Sequence, residues 1–178
     1  MTRFAGGKAS LPGAQGRGGL VAISVTEWHP MVVHFPLALV LTGALALSAS
    51  CIKELAPQSK TLATVGTWNV CLGAVASLFA LGTGLAAVVS IHVDREARAA
   101  VGLHVKWAIF TSMALLLLAV WRGAGNAQDA RPSRLFLAVL WAVAAALIVT
   151  GYRGGQNVYR YGVGLERGAI VHAHATKE

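Results

Sequence analysis

The sequence predicts an all-α integral membrane protein, a bundle of four membrane-spanning helices with both termini on the same side. Hydrophobic residues make up 56% of the 178 residues and charged residues only 12%, about half the charged share of a typical soluble domain. The apolar residues form four long blocks, and about 20 apolar residues in a helix cross the hydrocarbon of a bilayer. These blocks are apolar on all sides, whereas a helix of a soluble bundle carries a polar stripe. The predicted spans cover about residues 31–52, 62–91, 101–121 and 135–152.

The N-terminal segment and the first span are separated by composition. Residues 1–27 are rich in glycine and contain no continuous apolar core of signal-peptide length, so we expect a flexible tail there. The four-span domain then covers residues 28–153. Within the first span, Pro36 cannot donate a backbone hydrogen bond to the carbonyl near Val32, which predicts a kink that re-aims His34. The polar residues 53–61 join this span to the second.

The second span is longer than a bilayer requires and carries small residues on one face. These are Gly66, Gly73, Ser77, Ala80, Gly84 and Ala87. Such a face packs closely against a neighbouring membrane helix, and it also offers room for a flat cofactor. The charged residues 93–100 lead to the third span, and Pro132 marks the start of the fourth. The glycine-rich residues 151–155 predict that the fourth helix ends there, which leaves residues 154–178 as a polar C-terminal tail.

Charge is distributed unequally between the two ends of the predicted bundle. We call the end with both termini and residues 93–100 side A, and the opposite end side B. The formal net charge is +8, but the basic residues are scattered over termini and loops, which is typical of a protein facing anionic lipid and not of a nucleic-acid-binding protein. Side A holds more of them, so the positive-inside rule favours cytoplasmic termini in a multi-pass bacterial inner-membrane protein.

Histidine is the residue type that indicates chemistry, because no histidine belongs to side B. Ionisable residues inside spans are costly and are therefore functional candidates. His34 and His104 lie at matched depth, about three residues inside their spans, and two imidazoles on opposite faces of the iron hold a b-type haem. We take this pair as the first-choice axial ligands, and His29 with His92 as a possible second pair or as interfacial residues. The candidate partners of haem propionates or lipid headgroups are Arg95, Arg98 and Arg153.

Several other classes of function find no motif in the chain. The spans contain no Asp or Glu, which argues against ion-coupled transport along an acidic relay. There is no phosphate-binding loop, no nucleophile elbow and no Cys-x-x-Cys-His for covalent haem. The leading prediction is a b-type cytochrome-like subunit with one or two haems, which passes electrons between a partner redox protein and a quinone or second cofactor. The alternatives are a cofactor-free structural or assembly subunit of a membrane complex, and a copper or zinc site on side A.

Two motifs carry a resemblance to a known family. They are His29-Pro-Met-Val-Val-His34-Phe-Pro36 and Gly154-Gly-Gln-Asn-Val-Tyr-Arg-Tyr-Gly-Val-Gly164. Together they resemble the motifs of a bacterial four-span membrane family known as domain of unknown function 2231, over residues 28–165. The resemblance implies the four-span fold and is compatible with a haem-bearing role, but it implies no particular activity. The residues that match its motifs are His29, Pro30, His34, Pro36, Gly154, Gly155, Tyr159 and Gly162.

Overall fold

The computed structural model describes residues 25–90, 93–124 and 131–164, and these are helical with no strand. The helices are α1 (Val25–Val32), α2 (His34–Ala49), α3 (Ser59–Ser90), α4 (Arg95–Ala124) and α5 (Arg134–Tyr159), with a 3₁₀ helix (Lys53–Gln58) before α3. Four stretches are long and apolar enough to cross a membrane. The predicted all-α fold with four spans is confirmed. Of the predicted N-terminal tail, only residues 25–27 lie within the described part, and they are helical.

The first span consists of two helices, because α1 and α2 are interrupted at Val33. This interruption lies one turn before Pro36, whose ring nitrogen cannot donate to the carbonyl of Val32. Val33 itself keeps helical dihedral angles, with φ −62° and ψ −21°, so the kink at Pro36 stays a prediction. Helix α1 packs against α3, and α2 packs against both α3 and α5.

Consecutive helices pack side by side, and α2 closes the bundle against α5. The core is formed by buried aliphatic side chains from all four spans, among them Val40, Leu47, Val70, Leu115 and Leu140. Helices α2 and α3 approach most closely at glycine. A Cβ on Gly66 would lie 2.6 Å from Leu47 Cγ, and one on Gly73 would lie 2.8 Å from Val40 Cγ2. At Gly66 and Gly73 the face of small residues therefore packs α3 against α2, and it leaves no room there for a flat cofactor.

Most of the apolar surface of the spans points outward. Only 22–28% of each apolar window is buried inside the bundle, and large side chains such as Phe79, Phe110 and Leu117 are exposed. An apolar outer surface of this extent requires lipid around it. The 26, 30 and 32 residues of α5, α4 and α3 correspond to about 39–48 Å of helix, compared with about 30 Å of hydrocarbon. The helix ends therefore reach the headgroup layers.

Several predicted boundaries are wrong: α3 begins at Ser59, inside the predicted connection 53–61, and α4 begins at Arg95, inside the predicted connection 93–100. Helix α5 does not end at residues 151–155 but continues to Tyr159, because a glycine inside a helix costs only about 1 kcal/mol and packing can outweigh it. The chain turns at Gly162, where φ is 63° and the next amide, of Val163, donates to the Asn157 carbonyl at 3.0 Å. Arg122 belongs to α4, not to the connection after the third span.

Four helix ends lie at the same end of the bundle, as the contacts of two histidines described below establish. They are the start of the first span, the end of α3, the start of α4 and the end of α5. This end is side A. The placement agrees with the predicted topology for the described ends of the bundle, and residues 1–24 and 165–178 lie outside the described part.

Candidate functional site

His29 lies on α1 and its imidazole is held against α3. Its Nδ1 is 3.0 Å from the carbonyl oxygen of Ala80 and 3.3 Å from Thr83 Oγ1. The ring lies over Gly84, where an added Cβ would be 2.8 Å from His29 Cε1. A carbonyl oxygen only accepts, so Nδ1 is the nitrogen that donates to Ala80. The neutral imidazole then has its free lone pair on Nε2.

His104 on α4 repeats this arrangement against α5. Its Nδ1 is 3.1 Å from the carbonyl oxygen of Thr150, and a Cβ added to Gly154 would lie 3.1 Å from His104 Cε1. In both cases the accepting carbonyl and the glycine are four residues apart on the neighbouring helix. The carbonyl has a second lone pair for the imidazole, and the missing side chain one turn later makes space for the ring. His104 Nε2 is therefore the unprotonated nitrogen as well.

The two histidines lie at similar depth on two different helix pairs, His29 against α3 and His104 against α5. Ala80 and Thr150 are nine or ten residues before the ends of α3 and α5, and His104 is nine residues after the start of α4, which is about 14 Å of helix in each case. Both rings are partly buried. The side A half of the bundle thus holds two half-buried imidazoles, each with Nδ1 bonded to a backbone carbonyl.

The other predicted ligands are placed differently. His34 is the first residue of α2 and its side chain is exposed, and the described partners of His104 lie on α5. His92 lies outside the described residues. The ligand pair His34 with His104 remains a prediction that no contact supports, and the same holds for His29 with His92.

The three candidate arginines differ in their exposure to solvent. Arg95 and Arg98 are exposed at the start of α4. Arg153 is half-buried beside Gly154, and its guanidinium lies over the Trp107 ring, 5.6 Å from the centroid. The Nε of Arg153 is buried and has no hydrogen-bond partner among the described residues. It lines a cavity of about 260 Å³ between α4 and α5, which also contacts Leu103, the neighbour of His104.

Within residues 25–90, 93–124 and 131–164, no three or more His, Cys, Asp or Glu side chains are grouped to hold a metal ion. A zinc or copper ion held by protein alone usually needs three or four ligands, so the described part gives the copper or zinc alternative no support. Two imidazoles suffice for haem iron, because the macrocycle supplies the other four nitrogens.

Sequence reasoning missed the backbone partners of the histidines and one buried arginine. Arg122 is 5% exposed in the side B half, where its Nε donates to Thr67 Oγ1 at 3.0 Å and its guanidinium lies 5.8 Å from the Phe136 ring centroid. No sequence signal connects Arg122 with Thr67, which is 55 residues away. For the histidines a signal existed, since Gly84 and Gly154 lie one helical turn beyond the accepting carbonyls.

Comparison with known proteins identifies a family but no activity. A family model described as "Predicted membrane protein (DUF2231)" matches residues 26–167. No curated protein and no solved structure matches the chain significantly. The matched region contains all four spans, both histidines of the pair and both motifs of the predicted resemblance. The chain therefore belongs to the family of membrane proteins known as domain of unknown function 2231.

Proposed function

We propose that this protein is a b-type cytochrome-like membrane subunit in which His29 and His104 are the axial ligands of one haem in the side A half of the bundle. The observation that carries the proposal is the shared state of the two rings: each Nδ1 is bonded to a helix carbonyl, at 3.0 and 3.1 Å, and each Nε2 retains its lone pair. Metal-binding histidines are oriented by this kind of hydrogen bond from the other ring nitrogen.

The helices around the pair support a ligand role more than a packing role. An isolated imidazole inside a membrane bundle is costly, and the side A half of this bundle holds two of them. Gly84 and Gly154 make the space that keeps both rings in place. Haem, when bound, supplies one-electron redox chemistry, while the chain fixes the two imidazoles and surrounds them with apolar side chains.

The proposal specifies one haem, because His29 and His104 are the two histidines that lie at similar depth with Nδ1 bonded to a helix carbonyl among the described residues. In this function the subunit passes electrons between a partner redox protein and a quinone or second cofactor. Arg95 and Arg98 are exposed on side A and give that surface positive charge for haem propionates or for an acidic partner protein. The excess of basic residues on side A also supports cytoplasmic termini in a bacterial inner membrane.

The test is the visible spectrum of the purified protein, with haem quantified as the pyridine haemochrome. We expect a Soret band, sharpened α and β bands on reduction, and about one haem per chain, as a single bis-histidine site implies. If the protein as purified lacks haem, haemin is titrated into the folded protein, which should bind it with the same spectrum. A folded protein with no Soret band that also binds no haemin would overturn the proposal and favour the cofactor-free structural subunit.

A further inference from the structure

The cavity between α4 and α5 at side A has both a polar and an apolar lining. The polar lining comes from Glu96, Arg153, Gln156, Asn157 and Tyr161, and the apolar lining from Leu103 and two alanines of α4. Its volume of about 260 Å³ is below the range of about 300–1,000 Å³ usual for pockets of drug-sized ligands. The cavity therefore admits a small polar group and not a macrocycle.

One donor atom of Arg153, the arginine in this cavity, lacks a hydrogen-bond partner among the described residues. This atom, Nε, is fully shielded from solvent and forms no hydrogen bond with any described residue. Arg153 and Glu96 line the same cavity, yet no ion pair joins them in the part of the chain that the structure describes. A buried donor without an acceptor costs about 1–3 kcal/mol, and more when the group is charged. The cavity thus presents a guanidinium with one unsatisfied donor and, from Glu96, a carboxylate.

The depth of the cavity indicates where its ligand comes from. Arg153, Gln156 and Asn157 lie in the last two turns of α5, a helix about 39 Å long that exceeds the hydrocarbon thickness of about 30 Å. These turns are at the level of lipid headgroups. The Trp107 ring, which is about one turn deeper on α4 than Leu103, packs against the Arg153 guanidinium.

We propose that this cavity binds the phosphoethanolamine headgroup of a phospholipid. The phosphate accepts hydrogen bonds from the Arg153 guanidinium, whose planar fork matches phosphate oxygens, and from the side-chain amide of Asn157. The headgroup ammonium donates to the Glu96 carboxylate. The acyl chains leave the cavity past Leu103 along the exposed apolar surface of α4. This proposal does not depend on haem binding, so either can fail without the other.

The experiment measures lipid retained by the full-length protein. The protein is exchanged into vesicles of equal parts phosphatidylethanolamine, phosphatidylglycerol and phosphatidylcholine, extracted in mild detergent and examined by native mass spectrometry. We expect one phosphatidylethanolamine per chain. Arg153→Gln should lower its retention about tenfold or more, which corresponds to the loss of one charge-assisted hydrogen bond. The matched control is Arg160→Gln, because Arg160 is an exposed arginine at the same end of α5. This variant should retain the lipid.

Two further variants keep the test decisive if Arg153→Gln unfolds. Arg153→Lys keeps the charge but loses the fork, and should bind with intermediate affinity. Glu96→Gln leaves the phosphate site intact and should reduce the preference for phosphatidylethanolamine over phosphatidylglycerol. Equal retention by wild type, Arg153→Gln and Arg153→Lys would overturn the proposal, and so would equal loss in Arg160→Gln. Displacement of the lipid by millimolar inorganic phosphate would identify a free-phosphate site and overturn the lipid assignment.

Discussion

Replacing Gly84 by alanine tests the packing of His29 directly. The added Cβ would lie 2.8 Å from His29 Cε1 and 3.1 Å from Nδ1, whereas carbon atoms in contact are about 3.5–4.0 Å apart. The ring must therefore move by about 0.7 Å or more, and this movement strains the hydrogen bond to the Ala80 carbonyl. Overpacking costs about 1–3 kcal/mol and the weakened hydrogen bond about 0.5–1.5 kcal/mol. The higher helix propensity of alanine offsets this loss of stability by about 1 kcal/mol.

We expect Gly84→Ala to lower the free energy of unfolding by about 1–3 kcal/mol. Gly82 is the matched control, because it lies on the same helix with no atom within 4 Å of an added Cβ. Gly82→Ala should be neutral or stabilising by up to about 1 kcal/mol. The assay is reversible unfolding by sodium dodecyl sulfate in mixed micelles, followed by circular dichroism. In a His29→Ala background the cost of Gly84→Ala should vanish, because the clash is gone. The same unfolding free energy for Gly84→Ala and Gly82→Ala would refute the reasoning.

The other stability predictions concern the opposite half of the bundle. Gly66→Ala places a Cβ 2.6 Å from Leu47 Cγ and should destabilise the protein by about 1–3 kcal/mol. The control in the same unfolding assay is Gly102→Ala, whose added Cβ meets open space. Equal effects of the two substitutions would contradict the packing of α2 on α3. Thr67→Val removes the hydroxyl that accepts from Arg122 Nε and should cost about 1–3 kcal/mol. Thr67→Ser keeps that hydroxyl and should cost clearly less; if it costs as much, the hydrogen bond is not what stabilises this region.

The spans were predictable because membrane insertion leaves a strong signal in sequence. A backbone in lipid must satisfy its own hydrogen bonds, so apolar stretches of sufficient length are helices. The interruption between α1 and α2 at Val33 has an equally local reason, the missing amide hydrogen of Pro36. The ends of the helices were not predictable in this way. Beyond the hydrocarbon, whether a helix continues depends on what it packs against, and the glycines at 154 and 155 remain helical where α5 packs on α4.

The side A location of His29 and His104 could be predicted from the distribution of histidine, but their contacts could not. Depth along a helix can be counted from sequence, whereas rotation about the axis cannot be inferred without knowing the neighbouring helix. His29 and His34 are five residues apart, which is about 140° around a regular helix. The two therefore cannot face the same neighbour. In the structure His29 faces α3 and His34 is exposed, and the deciding contact with Ala80 spans 51 residues of sequence.

The haem content of single histidine variants is the measurement that tests the central claim most directly. His29→Ala, His104→Ala and His34→Ala are purified in parallel, their folding is checked by thermal unfolding, and haem per chain is determined as the pyridine haemochrome. If His29 and His104 are the axial ligands, each of their alanine variants loses most of the haem, while His34→Ala retains the wild-type content and spectrum. Loss of haem in His34→Ala with retention in His29→Ala would contradict the account and assign the iron to His34 instead.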